Sequence, residues 1–220
     1  SVVMPRGRKL AAIYVGYGVA FVLFVIPVVF MIWSAFRSSI EITGNPFNLL
    51  SPLSFDNFVK VFSNFDFARY IMNSTIIAGS STIIGLVLGA PAAYVIVRRR
   101  WTSVGFFILI ARMAPGVMFL VPLFIFSIEI GAPSNNTLNY LLLIAAHLII
   151  TLPLCIWLII PFFEAVPDSI EEASMIDGAG VLRRFTNVVV PLVTPGIAVA
   201  VTLSFVFSWN YFLFALALAN

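Results

Sequence analysis

The residues best placed to do chemistry lie in one polar stretch, residues 170–195, which interrupts a chain that is otherwise mostly apolar. Its first part, IEEASMIDGAG, combines two adjacent carboxylates, Glu171 and Glu172, with small side chains. Carboxylates on a helix surface make charge-assisted hydrogen bonds to arginine or lysine. Small neighbouring side chains let a partner approach closely, so the pattern predicts a docking surface. The alternative is a solvated loop of two capped helices without a partner.

Two short helices are expected in this stretch. Asp168, followed three residues later by Glu171, has the spacing of an N-cap with a capping-box partner, so the first helix should start at Ser169. Gly178 is its natural end, because glycine tolerates the left-handed conformation that closes a helix. A second helix is expected over residues 181–189. The helical period of the first helix places Ile170, Ala173, Ser174 and Asp177 on one face and Glu171, Glu172, Met175 and Ile176 on the other.

The composition indicates what kind of protein must hold this stretch. The chain of 220 residues is 61% hydrophobic and 10% charged, with a mean hydropathy of +1.09, whereas soluble domains carry about 25% charged residues. Its single cysteine, Cys155, excludes an intrachain disulfide. The net charge of +3 comes from basic residues beside apolar runs, which argues against nucleic-acid binding. We therefore predict an all-α integral membrane protein.

Five apolar runs are long enough to cross about 30 Å of hydrocarbon as helices. The predicted fold is a polytopic helical bundle, a single transmembrane domain over residues 1–220. The turn-rich residues 37–69 form an extramembrane loop, and residues 164–195 form a second one. The predicted spans are residues 10–36, 70–97, 104–130, 138–163 and 196–219.

Lysine and arginine placement sets the expected orientation. With a cytoplasmic N-terminus, eight basic residues lie inside and three outside, Arg112 being left out of the count. The positive-inside rule therefore places residues 164–195 in the cytoplasm. The inner residues are Arg6, Arg8, Lys9, Arg98, Arg99, Arg100, Arg183 and Arg184, and the outer ones are Arg37, Lys60 and Arg69.

Two patterns within the spans concern helix packing. The second span carries small residues at four-residue spacing, which lets helix backbones approach closely in lipid; the alternative is that membrane helices are simply rich in glycine. The third span contains the sequence ARMAPG at residues 111–116, which predicts an irregular helix shielded by protein or lining a wet cavity. The small residues are Ser81, Gly85, Gly89 and Ala93.

Two ionisable residues inside the spans each have two interpretations. Arg112 either faces a translocation path or lies near the basic side of the membrane and snorkels to the surface. His147, the single histidine, is either a hydrogen-bonded packing residue or a ligand or proton carrier. No second titratable group is placed to form a proton relay with His147.

The polar stretch resembles the EAA loop of ABC importer permeases, in which Glu-Ala-Ala, three residues, Gly, nine residues and Ile-x-Leu-Pro recur. Glu172, Ala173 and Gly178 stand at matching positions, and residues 188–191 read Val-Val-Val-Pro. The match in spacing is complete. Ser174 replaces the second alanine, and valines replace the isoleucine and leucine.

Further motifs over nearly the whole chain resemble the carbohydrate-importer permeases related to the maltose transporter. Two features depart from that family. Members of that family commonly have an acidic residue at the position of Tyr211. They usually have six spans, whereas five are visible here, so a last span is expected beyond this sequence. The shared motifs are NST at residues 73–75, the Pro/Gly break of the third span, IDGAG at 176–180, PLVTPGI at 191–197 and SWNYF at 208–212.

The resemblance implies a multi-pass permease of the bacterial inner membrane, working with partner subunits. These are a second permease subunit, identical or different, two cytoplasmic ATPases that bind ATP and Mg²⁺, and a periplasmic solute-binding protein. The permease itself is not an enzyme and binds no cofactor or metal. In agreement, the sequence has no P-loop, since neither Lys9 nor Lys60 follows a glycine. The resemblance assigns ATPase coupling to Glu171, Glu172, Ala173, Ser174, Asp177, Gly178 and Arg183.

Polar groups on the second and fifth spans are candidates for contact with a polyhydroxylated solute, or alternatively anchor the helices at the membrane surface. The alternative function is an ion-coupled secondary transporter, which typically uses intramembrane carboxylates. Here the nearest candidates, Glu129 and Glu164, lie at span ends. The sequence contains no zinc-binding or nucleophile motif that would support a membrane enzyme. The coupling loop argues against a purely structural subunit. The candidate solute contacts are Asn73, Ser74, Trp209, Asn210 and Tyr211.

Overall fold

A computed structural model describes residues 7–45, 48 and 52–219. Arg6 and the side chains of Arg8 and Lys9 lie outside this description, so the N-terminal part of the orientation count stays a prediction. Every regular element in the described ranges is a helix. The chain divides into two compact units, Ser1–Tyr70 and Ile71–Asn220.

The first unit contains one long helix and two short ones. Helix α1, Gly7–Ala35, exposes most of its apolar side chains, as a helix in contact with lipid does. The expected loop contains α2, Ser39–Gly44, and α3, Asp56–Asn64. The Asn57 amide donates hydrogen bonds to the backbone carbonyls of Ala35, at 3.0 Å, and Arg37, at 2.6 Å, and so ties this loop to the end of α1.

The second unit is built on two long helices that other helices surround. It holds most of α4, Phe67–Arg98, and all of α7, Asn136–Glu164. Between these two come α5, Thr102–Met113, a 3₁₀ turn at Gly116–Phe119, α6, Leu120–Glu129, and a 3₁₀ turn at Ala132–Ser134. After α7 come α8, Asp168–Ile176, α9, Val181–Arg184, a π-helical segment, Phe185–Val189, α10, Val190–Leu192, α11, Thr194–Trp209, and α12, Phe212–Leu218.

Length and apolar composition bear out the fold class, a polytopic helical membrane protein. Three of the described helices are long and apolar enough to cross a membrane, and the number rises to five if each of two bent helix pairs is one span. The pairs are Thr102–Met113 with Gly116–Glu129, bent by 82°, and Val181–Leu192 with Thr194–Trp209, bent by 79°. The three long helices are Leu10–Ala35, Phe67–Arg98 and Asn136–Glu164.

Two apolar runs are interrupted as helices. The expected irregularity near residues 111–116 is present, because α5 ends at Met113 and Pro115 is extended. The run over residues 196–219, which is predicted to be the fifth span, is interrupted as well. It divides at Asn210, which ends α11.

The small residues of α4 pack against α7, which confirms the helix-packing interpretation. All four are buried. A Cβ atom added at Gly89 would lie 3.2 Å from the Cβ of Cys155, so the two backbones are in close approach there. Thr151 donates a hydrogen bond of 3.2 Å to the carbonyl of Ser81, whose hydroxyl lies 3.1 Å from that of Ser208. Helices α4, α7 and α11 therefore share one seam.

His147 and Arg112 each contact an aromatic ring. The buried imidazole of His147 lies 2.8 Å from the carbonyl of Leu143, and its ring meets Phe214 edge-on at 5.6 Å. This arrangement is that of a hydrogen-bonded packing residue. The guanidinium of Arg112 lies 4.9 Å from the ring centre of Trp157, a contact compatible with both of its interpretations.

Candidate functional site

The first helix of the polar stretch, α8, begins differently from the expectation. Asp168 is the first helical residue, and the position before the helix belongs to Pro167, which makes no side-chain cap. The predicted N-cap at Asp168 is therefore wrong. Its carboxylate instead accepts a hydrogen bond of 3.1 Å from Nη1 of Arg98 at the end of α4. A guanidinium from another helix outcompetes the local backbone N–H because it brings a full positive charge.

The end of α8 is as predicted. Gly178 has a φ of +78°, the left-handed conformation that only glycine adopts without strain. Its N–H donates to the carbonyl of Met175 at 3.0 Å, and the N–H of Ala179 donates to that of Ser174 at 2.9 Å. These two bonds form a Schellman motif, which satisfies carbonyls that the helix end would leave unpaired.

Glu171 lies inside the protein, with 6% of its surface exposed. Its Oε2 accepts a hydrogen bond of 2.5 Å from the hydroxyl of Tyr94, and its Oε1 accepts one from Nε of Arg98. Nε of Arg184 lies 3.3 Å from Oε2. Glu171 is therefore turned inward to bind two arginines, whereas Glu172, which the helical period places on the same face, is exposed.

The remaining candidate residues of this stretch form an outer surface. The Ser174 hydroxyl is half-buried and donates back to the carbonyl of Glu171 at 2.7 Å. Ile176 adds an apolar side chain that is 88% exposed. In the part of the chain that the structure describes, Glu172 and Asp177 make no ion pair. The exposed candidates are Glu172, Ala173, Asp177, Gly178 and Arg183.

An aromatic cluster joins α4, α7 and the π-helical segment beneath Glu171. The ring of Tyr94 lies 5.7 Å from that of Phe163 and 5.1 Å from that of Phe185. Sequence reasoning counted Arg98 and Arg184 only for orientation and missed Tyr94. The available signal was Tyr94 and Arg98 four residues apart at a helix end, which places both side chains on one face.

Two of the candidate solute contacts line a pocket. Trp209 and Asn210 border a shallow pocket of about 330 Å³, together with Thr75, Phe205 and Val206. The Trp209 ring lies 5.5 Å from that of Phe205, with the two ring planes tilted by 34°. The pocket thus offers an exposed indole face and an amide, the groups that a hydroxylated solute would contact.

The other three solute candidates lie in different surroundings. Asn73 accepts a hydrogen bond of 2.6 Å from the hydroxyl of Tyr140, and Ser74 is half-buried on the same helix. Tyr211 packs against Gly116, where a Cβ atom would come within 1.6 Å of its hydroxyl. The structure therefore does not bring all five candidates into one site. Searched over the described residues, the chain holds no group of three metal-ligating side chains.

Comparison with known proteins decides the family. Residues 85–220 match the family described as "Binding-protein-dependent transport system inner membrane component". The chain belongs to this permease family. The diacetylchitobiose uptake system permease protein NgcG of Streptomyces coelicolor is 31% identical over 200 residues, which cover 90% of this chain and 65% of that protein.

Two further relatives of the permease are named for sugars. The trehalose transport system permease protein SugB of Mycobacterium tuberculosis is 35% identical over 171 residues, 76% of this chain and 61% of that protein. The trehalose/maltose transport system permease protein MalG of Thermococcus litoralis is 29% identical over 195 residues, 86% of this chain and 68% of that protein. The permease chain thus spans about two thirds of the length of these relatives.

The family match divides the candidate residues of the permease. It includes the whole of α8 and α9 and three of the solute candidates, Trp209, Asn210 and Tyr211. Asn73 and Ser74 precede the matched region. The buried Glu171 and both of its arginine partners, Arg98 and Arg184, also fall within the matched region.

Proposed function

We propose that this chain is the permease subunit of a binding-protein-dependent ABC importer and forms half of the translocation pathway for a sugar or related polar solute. The names of its relatives support the solute class, since they specify diacetylchitobiose, trehalose and maltose. The seam of α4, α7 and α11 supplies a rigid helical wall for such a pathway. We further propose that α8 docks on a cytoplasmic ATPase.

The observation that carries the docking proposal is the division of α8 into an anchored side and an open side. Glu171 is buried against two arginines, whereas Glu172, Ala173 and Asp177 are exposed. Carboxylates held on a fixed backbone bind arginine or lysine with little further loss of conformational freedom. Beside them, the exposed side chain of Ile176 provides apolar contact area.

The partners follow from this role. Two cytoplasmic ATPase subunits bind ATP and Mg²⁺, a second permease subunit completes the pathway, and a periplasmic protein delivers the solute. ATP-driven closure of the ATPases moves both coupling helices inward, and the stiff spans convert this movement into outward opening. The permease lies in the inner membrane with a cytoplasmic N-terminus, and residues 37–69 are periplasmic.

The candidate solute site is the pocket at the end of α11. Trp209 stacks on the apolar face of a sugar ring, and the Asn210 amide hydrogen-bonds to its hydroxyls. The amide group of Asn210 already donates to the carbonyl of Val206 at 2.8 Å, which leaves its oxygen and second N–H for the solute.

The test is uptake by the complete importer reconstituted in vesicles with ATP inside. Labelled trehalose, maltose and diacetylchitobiose serve as solutes. Glu172→Lys reverses the charge at the proposed docking surface and should abolish uptake and weaken co-purification of the ATPase. Glu129→Lys makes the same change at an exposed position at the end of α6 and should leave both unchanged. Unaltered uptake by Glu172→Lys would contradict the docking role.

A further inference from the structure

We propose that Glu171 is a positioning residue that locks α8 to the ends of α4 and α9, so that a displacement of α8 reaches the membrane helices instead of being absorbed. This inference rests on the proposed coupling function. It assigns to Glu171 a role different from that of its neighbour Glu172. Glu171 fixes the buried side of the coupling helix and does not contact the ATPase.

Both oxygens of the Glu171 carboxylate are occupied within this chain. Oε1 accepts from Nε of Arg98, and Oε2 accepts from the hydroxyl of Tyr94 and lies 3.3 Å from Nε of Arg184. With 6% of the residue exposed, water contributes little to solvating the charge. Removing one member of such a buried pair leaves an uncompensated charge, so the anchor resists separation.

Arg98 binds α8 and the turn that precedes it at three points. In addition to the bond from its Nε to Glu171, its Nη1 donates to Asp168 at 3.1 Å and its Nη2 donates to the carbonyl of Val166 at 3.2 Å. The guanidinium is a planar group with donors in a rigid fork. The turn before α8, its first residue and its buried face are therefore all fixed to the last turn of α4.

The second attachment joins α8 to the chain that leads into α11. Arg184 lies at the end of α9, and the next residue, Phe185, starts the π-helical segment and packs on the ring of Tyr94. Nε of Arg184 makes an ion pair with Glu171 but finds no hydrogen-bond acceptor among the described residues. This attachment is accordingly weaker than the one through Arg98.

At its first residue, Asp168, α8 borders an open space. A cavity of about 680 Å³ separates α5 from the start of α8, with Gly105 and Leu109 on one wall and Pro167 and Asp168 on the other. A nine-residue helix without tertiary support is marginal in water. The contacts of Glu171 with α4 and α9, together with the bonds from Arg98 to Asp168 and Val166, therefore make α8 stiff enough to transmit a displacement.

The experiment compares Glu171→Gln with Glu164→Gln in the complete importer in vesicles. Glu164 is an exposed glutamate at the end of α7 that makes no ion pair within the described chain. Glu171→Gln should still co-purify with the ATPase but should take up about fivefold less solute per ATP hydrolysed, a coupling loss of the size that conformational linkage typically shows. Glu164→Gln should behave as the unaltered protein.

A double-mutant cycle identifies the partner. If Glu171 acts through Arg98, Glu171→Gln combined with Arg98→Gln should lose no more coupling than Arg98→Gln alone, because that change already removes the contact with Glu171. Losses that multiply would overturn the assignment. A nitroxide label at Ile176→Cys supplies an independent measure, because release of α8 by Glu171→Gln should increase its mobility.

The outcomes separate this inference from the proposed function. If Glu172→Lys abolishes uptake while Glu171→Gln changes neither coupling nor label mobility, the docking role stands and the positioning role is overturned. If Glu171→Gln loses the ATPase in co-purification, as Glu172→Lys should, Glu171 is a docking contact instead. Should Glu171→Gln fail to assemble, Arg184→Gln removes the ion pair without removing a hydrogen bond, and unchanged coupling there overturns the proposed lock to α9.

Discussion

The hydroxyl of Tyr211 lies directly against the backbone of Gly116. Through this contact the interruption between α11 and α12 packs on the interruption between α5 and α6. The ring of Tyr211 also lies 6.2 Å from His147 and 4.8 Å from Phe214, so the two breaks meet over an aromatic cluster. Irregular backbone at membrane depth is tolerated where protein shields it, and each break here shields the other.

Gly116→Ala should destabilise the permease. The added Cβ would lie 1.6 Å from the hydroxyl of Tyr211 and 2.7 Å from its Cζ, and overpacking of this kind costs about 1–3 kcal/mol. Adding Tyr211→Phe removes the nearer clash and should restore part of the loss. Thermal unfolding in detergent measures both. Gly105→Ala is the control, because its nearest neighbouring atom is at 3.7 Å, and an equal loss there would contradict the explanation.

Gly178→Ala should loosen the end of α8. Holding a residue with a side chain in the left-handed conformation costs about 1–2 kcal/mol, and open space around this position leaves no compensating contact. Hydrogen exchange should become faster at the amides of Gly178 and Ala179, which close the helix. Gly180→Ala serves as the matched change, since Gly180 has a φ of −66° and also has open space. Similar exchange in both variants would refute the conformational argument.

Trp209→Ala should weaken solute uptake. Loss of a stacking indole that is 39% exposed should raise the apparent KM by about fivefold, equivalent to roughly 1 kcal/mol. Trp209→Phe should retain most of the affinity, because it keeps an aromatic face. Trp101→Ala removes an exposed indole just beyond α4 and should leave uptake unchanged. If the Trp101 and Trp209 variants behave alike, both residues are membrane anchors and the pocket is not the solute site.

His147→Gln should leave ATP-driven uptake within about twofold of the unaltered protein, whereas an intramembrane proton carrier is essential to an ion-coupled transporter. The imidazole is bonded within its own helix to Leu143, a contact that glutamine can replace with its amide. Uptake with and without a protonophore measures any dependence on a proton gradient. Loss of uptake on adding the protonophore would favour the ion-coupled alternative.

Features encoded by neighbouring residues could be predicted. The four-residue spacing of Ser81, Gly85, Gly89 and Ala93 places small side chains on one helix face, and that face is the one packed on α7. Likewise, Gly178 ends α8 because the left-handed conformation depends on a single residue. The bend after Met113 follows from a proline and a glycine next to each other in the sequence.

Features that depend on distant residues could not be predicted. The Asp168 cap failed because its competitor, Arg98, lies 70 residues earlier in the chain. The division of the last apolar run at Asn210 has no proline or glycine signal, and it coincides with packing of Tyr211 on another broken helix.

By itself, the sequence determined that the chain is a helical membrane protein with a polar helix between apolar ones, since composition and local spacing are enough to specify both. Only the tertiary structure decided which of two adjacent glutamates faces inward. The helical period separates Glu171 and Glu172 by about 100° but does not orient the pair. That orientation comes from Arg98 and Arg184, which long-range packing brings to one side of α8.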